Sequence, residues 1–143
     1  MRRLALLGVA LLLAGCGGGS ENGDIPMVEG FVPRLEAQGV KPTAPQPEPP
    51  GVLEVRSTVY EVPGGALHVF TFPDEQAAKT ASARVQPDGY TIQTASGINQ
   101  AVDWSAPPHW YREGKEIAVY LGTSSKVTDA LEQAAGPQFA GAG

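Results

Sequence analysis

Between residues 51 and 139 the apolar positions alternate, switch to helical spacing, and alternate again. Val52 to Val62 is β-branched and roughly alternating, which predicts a strand with a bulge near Ser57-Thr58. Pro63-Gly64-Gly65 reads as a turn and Ala66 to Phe72 as a second strand, so the pair forms a hairpin. Leu67 and Val69 then share one face, and His68, Phe70 and Phe72 the other. Pro73-Asp74-Glu75-Gln76 opens a helix, with proline in the first turn and acids at the positive end of the dipole. Ala77, Ala78, Ala81 and Val85 give it a narrow stripe of small residues, and Gln86-Pro87-Asp88-Gly89 ends it in a turn. Tyr90 to Ile92 is a short strand, Ala95 to Gln100 a loop, and Ala101 to Ser105 an alternating strand broken by Pro107-Pro108. His109 to Arg112 and Glu116 to Leu121 make a second hairpin across Glu113-Gly114-Lys115. Ile117, Val119 and Leu121 face one way, Ala118 and Tyr120 the other. Ser124 or Ser125 caps a last helix carrying Val127, Ala130, Leu131 and Ala134, which Gly136-Pro137 stops. The expected class is α+β: an antiparallel sheet of about four to five strands with two or three helices on one face.

Upstream of Gly51 the texture is different. Met27, Val28, Phe31, Leu35 and Ala37 roughly follow helical spacing, with Asp24 as N-cap and Pro26 in the first turn. Gly30 and Pro33 interrupt that pattern, which leaves a short helix from about Pro33 to Gln38 closed by Gly39. Prolines 42, 45, 47, 49 and 50 then impose an extended, polyproline-like backbone with few amide donors. A stiff spacer is the expected reading, and a ligand for an aromatic groove the other one. The expected segments are therefore 24–50, short helix and proline-rich spacer; 51–139, globular domain; and 140–143, tail. Gly17 to Gly23 is a glycine-rich leash, because nothing in it could offset the entropy lost on ordering.

The amino terminus carries the most specific signal. Met1-Arg2-Arg3 supplies positive charge, and Leu4 to Ala14 follows as an apolar run of eleven residues. That is about half the ~20 residues a spanning helix requires, which fits a secretory signal rather than a membrane span. Leu13-Ala14-Gly15-Cys16 then resembles the lipobox of bacterial lipoprotein signal peptides. Ala14 and Gly15 present narrow side chains before the cut, and the Cys16 thiol is the atom that would receive diacylglycerol. The resemblance implies that residues 1–15 are removed by cleavage between Gly15 and Cys16, and that Cys16 carries palmitate-type acyl chains at the head of the 16–23 leash. It places the domain outside the cytoplasm, on the cell membrane or outer membrane. Gly17 after the cysteine, rather than Asp, resembles lipoproteins not retained at an inner membrane.

A second likeness lies in the other half of the chain. Pro108 to Gly122, Gly136 to Gly141, Val69 to Glu75 and Val102-Asp103-Trp104 resemble a group of small uncharacterised bacterial lipoproteins. That likeness implies a compact carboxy-terminal α+β domain and brings no activity, ligand or catalytic residue with it.

Composition narrows the function classes. Of 143 residues, 18 are Gly and 13 Pro, so long stretches lie outside regular structure. Removing Arg2 and Arg3 with the signal leaves 8 basic residues against 15 acidic, a net −7. That balance argues against nucleic acid and against attraction to anionic lipid headgroups. One cysteine cannot build a disulfide framework or a cysteine-rich zinc site. No G-x-S-x-G elbow, phosphate loop or metal-spaced histidine pair occurs, so the expectation is a non-catalytic protein without a cofactor, which holds the membrane through Cys16 and binds an envelope protein. The densest chemistry is Trp104, His109, Trp110, Tyr111 and Arg112, residue types that dominate binding hot spots. The commoner role for such aromatics is sheet core, here bracing Pro107-Pro108. A different class of function, binding of a small apolar or metal ligand, would use a pocket of His68, Phe70 and Trp104.

Overall fold

The computed structural model describes residues 29–142. The signal segment, Gly15, Cys16, the leash and the Asp24 to Val28 stretch lie outside the described residues. The elements are α1 (Phe31–Ala37), β1 (Thr43–Glu48), β2 (Ser57–Val62), β3 (Gly65–Thr71), α2 (Glu75–Ser82), β4 (Thr91–Gln93), β5 (Asn99–Ala101), β6 (Pro108–Glu113), β7 (Glu116–Gly122), α3 (Ser125–Ala135) and β8 (Ala140–Gly141). The class is α+β. Six strands form one antiparallel sheet in the order β1-β2-β3-β7-β6-β8, and β4 and β5 form a separate hairpin.

Strand β7 explains the architecture. Ile117 through Leu121 is buried at every position, so both faces of the sheet need cover. Phe31 and Leu35 of α1 and Val127 and Leu131 of α3 pack with Leu67, Ala118 and Tyr120 on one face. Ala78 and Ala81 of α2 pack with Phe70, Ile117, Val119 and Trp110 on the other. The expectation of helices on one face is thereby corrected: they divide between the two, because the apolar run at 117–121 leaves no wet side. The sheet is also wider than expected.

The extra width comes from the two edges. Residues 43–48, expected as a free polyproline spacer, pair with β2 as the edge strand β1, with a bulge between Thr43 and Gln46 and Ala44 at φ 52°. Pro45 and Pro47 cannot donate to a ladder, which confines such a strand to an edge and blunts that edge against further pairing. At the other edge, residues expected as tail form β8 against His109 and Trp110, and Gly141 donates onward to the Pro87 carbonyl. The boundary expected at Gly51 therefore falls inside the folded unit, since α1 and β1 belong to it.

Two local expectations also change. The strand expected from Val52 begins only at Ser57. Leu53 turns into the core, while Glu54, at φ 62°, ties down the loops around it through Arg84 (2.7 Å) and the Ala95 amide (3.1 Å). Ala101 to Ser105 is not a strand beyond Ala101; the Val102 amide donates to the Tyr90 carbonyl and the chain then turns away. By contrast α2 starts close to the expected position: Asp74 is its N-cap, its carboxylate accepting from the Ala77 amide at 2.8 Å, and Pro73 lies just before the helix rather than in its first turn. Helix α1 lacks a local cap. Its first amide, on Phe31, donates instead to Glu116 Oε1 at 2.8 Å, from 85 residues away.

Candidate functional site

Strand β6 distributes the candidate residues by its two-residue period. Trp110 and Arg112 point to the α2 face, and His109 and Tyr111 to the α1/α3 face. The five residues expected as a contact surface are thus not on one surface. Trp110 is fully buried and Tyr111 is 1% exposed, whereas Trp104, His109 and Arg112 are half-buried.

Trp110 anchors an aromatic cluster. Phe70 stacks on it at 6.2 Å, Trp104 meets it edge-on at 5.9 Å, and Phe139 leans on it at 6.3 Å. Both indoles donate to one acceptor, the Gly89 carbonyl, at 3.0 Å from Trp110 and 3.1 Å from Trp104. Gly89 sits at φ 78°, and a Cβ there would fall 2.6 Å from Gly141 Cα, so no other residue fits the position. Trp104 also stands edge-on to His68 at 6.1 Å. Of the three residues expected to line a pocket, His68 and Trp104 thus meet each other, while Phe70 stacks on Trp110. Burial pushes the His68 imidazole below its ordinary value, and Glu48 opposes that in part.

On the opposite face His109 stacks on Tyr120, with centroids 5.8 Å apart. Its Nδ1 lies 3.0 Å from Gln138 Oε1 and its Nε2 3.1 Å from the Gly122 carbonyl. Gln138 in turn donates to the Ala142 carbonyl, so His109 fastens the carboxy-terminal segment to the sheet. His68 and His109 lie on opposite faces, and among the described residues no group of three His, Cys, Asp or Glu could hold a metal ion.

No protein-family model, curated protein or solved structure matches this chain.

Tyr111 is a structural residue with a measurable titration. Burial, with Glu132 and Asp129 nearby, pushes its phenol up to about 12. Unfolded, the phenol ionises near 10, so between these values the folded chain holds more protons and stability falls as pH rises. Urea melts of the wild type should lose on the order of 2–3 kcal/mol across that window, and Tyr111→Phe should lose markedly less. An identical alkaline loss in both chains would refute this placement of Tyr111.

The side chains that do face solvent together form no sequence pattern. An open cleft of about 840 Å³ lies where α1 begins, α2 begins and β6 turns into β7. Arg34, Arg112 and Lys115 line it with Glu29, Glu75, Glu113 and Glu116. Arg34 reaches Glu113 at 3.1 Å and the Ala134 carbonyl at 3.0 Å. Arg112 donates to the hydroxyl of buried Ser82 at 3.0 Å. These residues come from separate stretches of chain, and only Arg112 belongs to the contact surface expected from sequence.

Proposed function

We propose that this chain is a lipid-anchored, non-catalytic protein of the bacterial envelope that presents its α+β domain as a binding module. The observation that carries the reading is Leu13-Ala14-Gly15-Cys16 directly after a charged start and a short apolar run, with Cys16 the only cysteine of the chain. The position of the cysteine fits it: Cys16 and the glycine-rich stretch Gly17 to Gly23 stand upstream of α1, whose first residue is Phe31. Both faces of the central strands are covered, which leaves the exposed edge strand β1, the loop ends and the charged cleft among the described surfaces that could meet a partner.

Intact mass spectrometry of the protein purified from its own membranes tests the anchor. The expected product begins at Cys16 and is heavier than its peptide by a diacylglyceryl group, with either a further acyl chain or a free amine at its amino terminus. A mature chain beginning at another residue, or one with a free Cys16 thiol, would overturn the reading.

A further inference from the structure

We infer that the cleft at the β6–β7 turn binds a short peptide or amino acid through its free carboxylate. This rests on the reading of the domain as a binding module and gives that module a ligand class. Most charges of the cleft are already engaged. Arg34 is held by Glu113 and the Ala134 carbonyl, Glu116 accepts the first amide of α1, and Glu75 pairs with Lys79 at 3.6 Å.

Arg112 is paired with no carboxylate among the described residues, although four line the same cleft. Its guanidinium is half-buried and spends one N–H on Ser82. A partly desolvated guanidinium keeps a two-pronged donor set that matches a carboxylate. Lys115, exposed on the turn, adds a second cation whose ammonium has no partner among the described residues. Glu29 is the remaining acid of the lining, with no partner among the described residues. Three cations against four carboxylates give the lining a net −1. That balance disfavours a phosphate dianion and suits a zwitterion, with its carboxylate on Arg112 and Lys115 and its ammonium toward Glu29. The volume lies within the roughly 300–1,000 Å³ of small-ligand sites.

The test is an amide chemical-shift titration of the full mature, lipidated chain in detergent micelles, using trialanine, its carboxy-terminal amide and its N-acetyl form. Trialanine should give saturable shifts confined to residues 112–116 and 29–34, with a dissociation constant on the order of 1 mM. The amide should bind about tenfold more weakly, because it removes the charge that Arg112 receives. The N-acetyl form should also bind more weakly than trialanine, since it lacks the ammonium that faces Glu29. Arg112→Gln should abolish the shifts while the melting temperature stays within a few degrees. Should that variant unfold through loss of the Ser82 bond, Lys115→Gln, on an exposed turn, should still weaken trialanine by about threefold. Equal binding of acid and amide, no saturation by about 20 mM, or full binding by both variants would overturn the site. None of these outcomes touches the anchor, which the mass of the mature chain decides separately.

Discussion

Trp110→Ala is expected to cost about 3–5 kcal/mol of folding free energy, the range for emptying a fully buried large aromatic position. The side chain has no exposed surface and is enclosed by Phe70, Trp104 and Phe139. Its loss opens a cavity between the sheet and α2, removes one of the two indole donors on the Gly89 carbonyl, and loosens the Gly141 segment packed against Gly89. Small domains have only about 5–15 kcal/mol in total, so a thermal melt followed by circular dichroism should shift down by at least about 10 °C. Trp110→Phe keeps a stacked ring and loses the N–H bond, so it should fall well short of the alanine loss. Trp104→Ala, at a half-buried position, should cost less again. A Trp110→Ala melt indistinguishable from wild type would mean that this residue does not hold the core, and would return it to the candidate contact surface.

The same residue shows what the chain discloses by itself. Elements whose pattern is set by their own neighbours are legible: the 109–121 hairpin through its alternation, α2 through Asp74 and its alanine stripe, α3 through Val127, Ala130, Leu131 and Ala134. Elements stabilised from a distance are less so. Helix α1 is legible from about Pro33, but its start at Phe31 is held by Glu116, which no local motif announces. Strand β1 carries two prolines that read as a spacer, and only the neighbouring β2 makes it an edge. Strand β8 has two residues, too few for any periodicity. The single-face expectation for the helices fails at Ile117 to Leu121, where alternation alone assigns residues to faces without saying that both faces are covered. Among candidate site residues, the cluster 104–112 is visible as composition, but its division between two faces follows from strand pairing. The cleft gathers residues near 30, 75, 112–116 and 135, and a spacing of that length carries no chemical signature.

The second large effect concerns the anchor. Each buried methylene contributes about 0.8 kcal/mol to membrane affinity, so two or three acyl chains hold a protein stably while one holds it marginally. With the proposed cleavage before Cys16 the chain would carry a net −7, which anionic headgroups repel, and among the described residues no helix is long and apolar enough to cross a membrane. Cys16→Ser should therefore abolish membrane association rather than weaken it. The variant is best carried behind a conventional cleavable secretory signal, so that a retained apolar segment cannot imitate the lipid. Because Cys16 lies outside every described element of the sheet and its helices, the thermal melt of the released chain should match that of the wild type. The deciding measurement is fractionation of cells expressing the two chains, with a high-salt wash of the membranes. Wild type is expected in the washed membranes and released only by detergent, with the Cys16→Ser chain wholly in the soluble fraction. A folded Cys16→Ser chain that stays in the washed membranes in the same proportion as wild type would contradict the lipid anchor.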